Sequence, residues 1–213
     1  MRKKQNASSF KSNKTAESLN EQIIQASEVL LRGGVVAFPT ETCYGLAVDP
    51  FNISAVKRLY KLKKRDYSKP ILILINSEEQ LNYCIKDVPA PFQPLIDKYW
   101  PGPLTFVFPA SSKIPDIVSG GTGSIAIRKS PHFVPNRLIE LVENPITATS
   151  ANLSSEKVAL TASDCLTIFG DDIDYIIDNK EKGRDSFSTI VGLANNQLKI
   201  FRQGELEIAE ITR

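Results

Sequence analysis

The part of the sequence that most clearly points to chemistry is a run of cationic side chains between residues 57 and 69. Seven of them stand against a single acid, Asp66, which gives the segment a formal charge of +6 (7 − 1). The cations are Lys57, Arg58, Lys61, Lys63, Lys64, Arg65 and Lys69. The segment runs from a predicted helix into a loop before the apolar residues 71–75, a place where phosphate ligands bind, and Arg and Lys both suit a polyphosphate. The alternative is a solvated helix face.

Three further polar segments and one arginine lie at the ends of predicted strands. Residues 39–45 (PTETCYG) and 147–152 (TATSAN) are dense in small hydrogen-bonding side chains, and residues 120–124 (GGTGS) form a glycine-rich loop. Arg128 stands at the end of an apolar strand, where it is placed to bind a carboxylate with two hydrogen bonds. Open α/β sheets bind ligands at strand ends. Ordinary turns and, for Arg128, a structural ion pair are the competing interpretations.

The motifs that the sequence lacks narrow the chemistry. There is no GxSxG, HExxH or strand-linked GxGxxG motif, and His132 is the single histidine. We expect His132 at a helix start to be a surface or capping residue and not a base. Cys43, Cys84 and Cys165 show no CxxC spacing, which argues against a disulfide scaffold and a His/Cys metal site. A site rich in Lys, Arg, Ser and Thr suits phosphate chemistry by positioning and electrostatics.

Length and composition predict one domain without a membrane span. The chain has 213 residues, of which 42% are hydrophobic and 23% charged, enough for one sizeable core. Residues 1–16 carry five cations and no acid, and they lack the apolar core of a secretory signal. We therefore predict a flexible basic arm over residues 1–16, a catalytic domain over residues 17–213, and a cytoplasmic protein with no membrane partner.

The hydrophobic periodicity predicts an α/β fold with a mixed sheet. An amphipathic helix is expected over residues 17–32, ending at Gly33 and Gly34. Further helices are predicted over residues 52–64, 77–86, 91–99, 131–142 and 161–169, with Pro131 in the first turn of its helix. Strands are predicted over residues 35–38, 71–74, 104–108, 124–127, 175–177, 188–191 and 198–201.

Seven segments together resemble, in the family's order, the YrdC-type threonylcarbamoyl-AMP synthases. The segments are VVAFPTETCYGLAVDP, KLKKRDYSKPILI, YWPGPLTFVFP, SIAIRKSPH, PITATSANLS, SFSTIV and IFRQG. The resemblance covers about residues 18–205, and the chain is similar to the single-domain bacterial form of the family. It implies a YrdC-like twisted mixed sheet, flanked by helices, around a concave and positively charged cavity.

The resemblance also implies an activity. Members of the family make L-threonylcarbamoyl-adenylate and pyrophosphate from L-threonine, bicarbonate and ATP, with Mg²⁺ bound through the ATP phosphates and no organic cofactor. The product supplies the threonylcarbamoyl group of adenosine 37 in tRNA through a downstream tRNA threonylcarbamoyltransferase complex, so tRNA is a further expected partner. The chain is thus expected to be a nucleotidyltransferase of tRNA modification.

Site residues follow from the matching motifs. The residues expected on the ATP side are Lys63, Arg65, Lys69, Ser124, Asn152 and Arg202, of which Lys63 and Arg65 act electrostatically in catalysis. The residues expected to bind threonine are Thr42, Arg128, Ser150 and Ser188, with Arg128 on the carboxylate. No protein side chain is expected to bind a metal. No general base is assigned, although Glu41 and Asp49 are close in sequence.

The sequence departs from the family pattern at three places, and two rival functions remain. Asp66 replaces a common proline, Leu74 a histidine of some longer members, and Ser155 the usual glycine after Ser154, which affects loop geometry and the threonine pocket. One rival is a non-catalytic RNA-binding module that uses the same basic cavity, although no aromatic-studded basic strand is present. The other is a carbamoyltransferase of hydrogenase maturation, whose additional cysteine-rich segments this chain lacks.

Overall fold

The computed structural model describes residues 18–207, which form seven α-helices and ten β-strands. The predicted arm lies outside the described residues, as do residue 17 and residues 208–213 of the predicted domain. The helices are α1 (Leu19–Leu31), α2 (Ile53–Leu62), α3 (Glu78–Cys84), α4 (Gln93–Tyr99), α5 (Asp116–Ser119), α6 (Phe133–Val142) and α7 (Ala162–Phe169). The strands are β1 (Val36–Phe38), β2 (Gly45–Ala47), β3 (Ile73–Ile75), β4 (Leu104–Pro109), β5 (Ser124–Lys129), β6 (Ile146–Thr147), β7 (Thr149–Ser150), β8 (Tyr175–Ile176), β9 (Thr189–Ala194) and β10 (Gln197–Arg202).

The strands divide between two mixed sheets. The smaller has the order β7-β2-β1-β8, with β8 parallel to β1 and the other pairs antiparallel. The larger has the order β10-β9-β4-β5-β3-β6, in which parallel pairs (β9 with β4, β5 with β3) alternate with antiparallel ones. The predicted mixed α/β class is confirmed, with its strands in two sheets instead of one.

Strands β1 and β3 are buried on both faces because they lie between two hydrophobic clusters. On β1, Val36 and Phe38 point to a cluster formed with α1 and α6, whereas Ala37 points to the larger cluster. On β3, Leu74 joins the first cluster and Ile73 the second. Successive side chains of each strand therefore point to opposite clusters. Because both faces need apolar side chains, the strands appear in the sequence as continuous apolar runs.

Short polar side chains begin the helices that frame the sheets. Ser18 and Glu21 form a capping box at α1, and Asn52 accepts a hydrogen bond from the Ala55 amide at α2. The start of α6 differs from the prediction. Pro131 lies outside the helix, and His132 is the N-cap, whose Nδ1 accepts a hydrogen bond from the Val134 amide at 3.2 Å. The predicted capping role of His132 is confirmed.

Three buried cysteines are free thiols. Cys43 lies just before β2, Cys84 ends α3 and Cys165 lies on α7. Burial raises the pKa of all three thiols, and that of Cys84 and Cys165 to about 12. Within the described part of the chain, none of the helices is long and apolar enough to cross a membrane.

Candidate active site

The end of α2 explains why two cations of the basic segment face inward and the one between them faces outward. Lys64 has a φ of 49°, in the left-handed region. Its amide donates to the Lys61 carbonyl, and the Arg65 amide donates to the Tyr60 carbonyl at 3.0 Å. These two bonds are those of a Schellman motif, which ends a helix by reversing its path. The reversal leaves Lys64 exposed between buried Lys63 and partly buried Arg65.

The Lys63 ammonium ties the end of α2 to the segment after β7. Only 1% of Lys63 is exposed, and its Nζ contacts the Ser150 carbonyl, the Asn152 carbonyl at 2.7 Å and Asn152 Oδ1 at 3.1 Å. The Lys63 carbonyl in turn accepts hydrogen bonds from the amide and the hydroxyl of Ser154, both at 3.0 Å. We call this arrangement of Lys63, Ser150, Asn152 and Ser154 the lysine clamp.

Three acceptors match the three N–H donors of an ammonium group, so the lysine clamp leaves Lys63 no free donor. Burial, together with a smaller effect of the Arg65 charge, lowers the pKa of Lys63 to about 7. The hydrogen bonds to carbonyl oxygens favour the charged form, but without a carboxylate among them they do not neutralise it.

A cavity of about 150 Å³ lies beside the clamp, and three arginines from different parts of the fold line it. Arg65 follows α2, Arg128 lies on β5 and Arg202 ends β10. We call these three residues the arginine wall. Other lining residues include Thr40, Thr42, Cys43, Tyr44, Ser150, Phe187 and Ser188.

Two members of the arginine wall are held by neutral carbonyl groups. Arg65 donates to the Pro70 carbonyl at 2.9 Å and to the Lys69 carbonyl at 3.3 Å. Arg202 donates to the Ser188 carbonyl at 2.8 Å and to its hydroxyl at 3.1 Å. Burial lowers the pKa of both guanidinium groups, and for Arg202 the charge of Arg128 adds to the effect. Both groups therefore favour an anion that would offset their charge.

The third member, Arg128, faces a carboxylate. Its Nε lies 3.4 Å from Glu41 Oε1, and the two side chains are 6% and 16% exposed. The other oxygen of Glu41 accepts a hydrogen bond from the Ser130 hydroxyl at 2.5 Å, and Ser130 Oγ accepts one from the His132 amide at 3.1 Å. Of the two alternatives that the sequence left open for Arg128, the ion pair is present. Arg128 also lines the cavity, and its binding of a substrate carboxylate stays a prediction.

Several hydroxyl groups lie at or beside the cavity. Thr42 Oγ1 lies 3.0 Å from Thr40 Oγ1, and the Thr40 hydroxyl donates to the Cys43 carbonyl at 2.7 Å. Ser188 Oγ lies 2.7 Å from Thr105 Oγ1. Ser150 donates to Asn152 Oδ1 at 2.7 Å, which connects the cavity to the lysine clamp. These hydroxyls are oriented by neighbours and can pair with a polar ligand.

Gly204, two residues after β10, allows the chain to pass close to the backbone of residues 187–189. A Cβ atom on Gly204 would lie 2.3 Å from the Phe187 carbonyl oxygen and 2.5 Å from the Thr189 nitrogen. The Glu205 amide also donates to the Phe187 carbonyl at 2.9 Å. The IFRQG segment therefore requires glycine at this position, because the chain passes in contact with the backbone that carries Ser188.

The structure brings six of the ten predicted site residues together around one cavity. They are Thr42, Arg65, Arg128, Ser150, Ser188 and Arg202. The other four do not line it: Lys63 and Asn152 belong to the lysine clamp, Lys69 is exposed, and Ser124 begins β5 after the glycine-rich turn. Their predicted roles toward ATP stay predictions.

The sequence assigned no role to several residues at or beside the cavity. Thr40 and Phe187 line it. Thr105 contacts Ser188, and Glu41 faces Arg128. Glu41 and Arg128 are 87 residues apart, so local spacing gave no signal for their contact. The PTET segment predicted polar chemistry, but only the fold shows which of its side chains face which partner.

No carboxylate is among the residues that line the 150 Å³ cavity, and residues 18–207 contain no group of three or more His, Cys, Asp or Glu that could hold a metal ion. Guanidinium and hydroxyl donors are poor ligands for Mg²⁺, which prefers oxygen anions. The predicted binding of Mg²⁺ through the ATP phosphates stays a prediction.

Comparison with known proteins agrees with the mixed α/β class that the fold defines. The chain belongs to the Sua5/YciO/YrdC family, whose model, described as "Telomere recombination", matches residues 28–204. The resemblance that the motifs predicted is therefore confirmed.

Individual relatives bear related names. The chain is 37% identical over 198 residues to a threonylcarbamoyl-AMP synthase of Pyrococcus abyssi, covering 92% of this chain and 58% of the relative. It is 34% identical to a threonylcarbamoyl-AMP synthase of Thiobacillus denitrificans, covering 86% of this chain and 97% of the relative. The crystal structure of P. abyssi Sua5 complexed with L-threonine superimposes with a TM-score of 0.86 at 36% identity, covering 91% of this chain and 57% of that one. The chain thus spans just over half of the archaeal relative and nearly all of the bacterial one.

Proposed function

We propose that this protein is a threonylcarbamoyl-AMP synthase, an enzyme of tRNA modification that joins L-threonine, bicarbonate and ATP. The observation that supports this proposal most directly is the convergence of Arg65, Arg128 and Arg202 with three hydroxyl side chains on one cavity. Relatives that share 33 to 37% of their residues with the chain carry the same name, and a related protein has been crystallised with L-threonine.

On the threonine side, Arg128 would bind the substrate carboxylate. Its charge is buried in the cavity wall, and neither of its Nη groups hydrogen bonds to a residue of the described chain. A carboxylate accepts two parallel hydrogen bonds from such a group. The hydroxyls of Thr42, Ser150 and Ser188 are close enough around the same cavity to select a ligand that carries a hydroxyl group.

On the nucleotide side, Arg65 and Arg202 would bind the phosphates of the Mg²⁺ complex of ATP. Burial disfavours both charges, so an incoming phosphate is a strong partner for them. When bound with ATP, magnesium neutralises part of the phosphate charge. The proposal includes the predicted contributions of Lys69, Ser124 and Asn152 to this side, and Lys63 contributes through the lysine clamp, in which all three of its donors are occupied.

The reaction follows from placing these substrates next to each other. The threonine amine and bicarbonate form a carbamate and water, and a carbamate oxygen then attacks the α-phosphate of ATP in line with the departing pyrophosphate. Arg65 and Arg202 stabilise the charge that develops on the leaving group. The protein supplies proximity and electrostatics, and the step requires no covalent intermediate with a side chain.

The test is formation of threonylcarbamoyl-adenylate and pyrophosphate by the purified chain, with each substrate left out in turn. We expect product only when threonine, bicarbonate and ATP are all present, with no requirement for tRNA. Serine lacks one methyl group, which is worth roughly 1 to 3 kcal/mol of discrimination. Equal catalytic efficiency with serine would contradict the proposed pocket.

The same assay addresses the rival functions. A chain that binds tRNA but releases no pyrophosphate would be the RNA-binding module, and release without threonine would indicate another carbamoyl transfer. We place the reaction in the cytoplasm, where ATP and tRNA occur, and expect the product to pass to a tRNA threonylcarbamoyltransferase complex.

A further inference from the structure

We infer that Glu41 is a positioning and specificity-determining residue, which holds the Arg128 guanidinium in the cavity wall and offsets its charge so that Arg128 accepts a singly charged carboxylate in preference to a phosphate. The inference rests on the proposed function, in which Arg128 binds the threonine carboxylate. It concerns a carboxylate to which the sequence assigned no role.

Glu41 is fixed before any ligand binds. Its Oε2 accepts the 2.5 Å hydrogen bond from Ser130, whose own oxygen is held by the His132 amide at the start of α6. The carboxylate is therefore attached to a helix end and cannot rotate freely. A preorganised carboxylate of this kind directs the cation that it faces.

Arg128 is held by attraction and not by a completed hydrogen bond. Glu41 Oε1 and Arg128 Nε are both buried, lie 3.4 Å apart and have no hydrogen-bond partner. The exposed pair of Arg137 and Glu140 on α6 provides a contrast, because it forms a hydrogen bond at 2.9 Å. Since a buried pair gains stability only with good geometry, the Glu41–Arg128 contact is poorly suited to a purely structural role.

The contact involves the Nε edge of the guanidinium, so both Nη groups stay available for a ligand. A carboxylate bound there would share Arg128 with Glu41, and the net charge of the three groups would be −1. A phosphate with two negative charges would raise that to −2 within a buried site, where like charges repel strongly. Glu41 thus penalises phosphate at Arg128.

The other two arginines of the cavity show the opposite arrangement. Arg65 and Arg202 form no ion pair with a carboxylate within residues 18–207, and their partners are carbonyl and hydroxyl groups. They keep a full charge for a polyphosphate. The placement of one carboxylate therefore distinguishes the two kinds of anion that the reaction brings together.

The experiment compares Glu41→Gln with the wild-type chain, since glutamine keeps the shape and removes the charge. We expect the KM for threonine to rise roughly 10- to 100-fold through loss of the charged contact that aims Arg128, with the KM for ATP changed less than about threefold. Pyrophosphate, which should compete only with ATP in the wild type, should compete with threonine as well in the variant. Calorimetric titration with threonine and with inorganic phosphate provides a readout without turnover.

Three further variants separate the effect of the orientation of Glu41 from the effect of its charge, and one of them is a surface control. Glu140→Gln removes the same type of ion pair from the surface of α6 and should change none of these constants. Ser130→Ala loosens Glu41 but keeps its charge, so it should raise the KM for threonine without creating competition by pyrophosphate. Glu41→Asp should likewise keep pyrophosphate from competing with threonine. These two variants also test the inference if Glu41→Gln does not fold.

The inference is overturned if a folded Glu41→Gln protein keeps the wild-type KM for threonine and the wild-type pattern of pyrophosphate inhibition. That outcome differs from failure of the proposed function, in which the wild-type chain itself forms no adenylate. In that case, unchanged affinity of the variant for both threonine and inorganic phosphate would overturn the inference independently.

Discussion

The lysine clamp and the arginine wall both hold buried cations, but they use their hydrogen-bond donors differently. In the clamp, three carbonyl oxygens occupy all three donors of Lys63. In the wall, Arg65 uses only some of its five donors, on the Lys69 and Pro70 carbonyls, and lines the cavity. The two residues are separated only by Lys64. The number of donors left over, and not the charge itself, therefore distinguishes a cation that organises the wall from one that can bind a ligand.

The largest effect is expected from Arg65→Ala, which tests the ligand-binding half of this comparison. Turnover should fall by about 100-fold or more, as for loss of one preorganised donor in other enzymes. The free energy of unfolding should change by about 1 kcal/mol or less, because water can reach the freed carbonyl groups. Steady-state kinetics and denaturant unfolding measure the two quantities. A variant that unfolds while its folded fraction stays active would make Arg65 structural.

Lys63→Met should show the opposite balance. The substitution leaves the Asn152 carbonyl without its donor, whereas the Ser150 carbonyl and Asn152 Oδ1 each keep one other donor. We therefore expect a loss of about 1 to 3 kcal/mol in the free energy of unfolding. Urea denaturation of both variants on the same day gives the comparison directly. If the Lys63 variant keeps its stability and loses affinity for ATP, Lys63 is a phosphate ligand, as the sequence motif predicts, and the distinction between clamp and wall fails.

A smaller effect should appear in the pH dependence of stability. The pKa of Lys63 is about 7 in the folded chain against 10.5 for an unperturbed lysine, so the unfolded state holds the proton to higher pH. The free energy of unfolding should therefore rise with pH above about 7, by up to about 1.4 kcal/mol per unit, and be insensitive to Lys63 below that range. Subtracting the pH profile of Lys63→Met from that of the wild type isolates this slope. A flat difference between pH 7 and 9 would show that the clamp retains its proton.

The smallest effect is expected from cations that belong to neither region. Deleting residues 1–14 should leave adenylate synthesis within about twofold, because all of the predicted site residues lie between residues 42 and 202. Any RNA binding at low salt should weaken, since five cations are lost. A well-folded truncated protein with greatly reduced synthesis would show that the arm acts at the active site.

The sequence predicted the fold class and most element positions because the apolar periodicity of the long helices and strands is strong. It missed the four-residue helix α5 and the strands β2 and β7. The two strands are only two or three residues long and contain Gly45 and Ser150, residues that are more typical of turns. These strands exist because neighbouring strands pair with them. Tertiary pairing of that kind is absent from local sequence patterns.

For the site, the sequence predicted residue types better than their neighbours. The K-x-R spacing marked Lys63 and Arg65, but the left-handed conformation of Lys64 that separates their environments follows from hydrogen bonds around the end of α2. The contact between Glu41 and Arg128 joins the loop after β1 to β5. Such a contact depends on sheet packing, so a single sequence carries no local signal for it.

The free thiols have a practical consequence for following this protein in solution. Alkylating reagents attack thiolates, and burial together with a raised pKa keeps Cys84 and Cys165 both inaccessible and protonated until the chain opens. Cys43 is also buried but lines the cavity, so its labelling can be blocked by whatever fills that space. Time-resolved mass spectrometry of the three alkylation sites would therefore report two rates from one sample, global opening at Cys84 and Cys165 and cavity occupancy at Cys43.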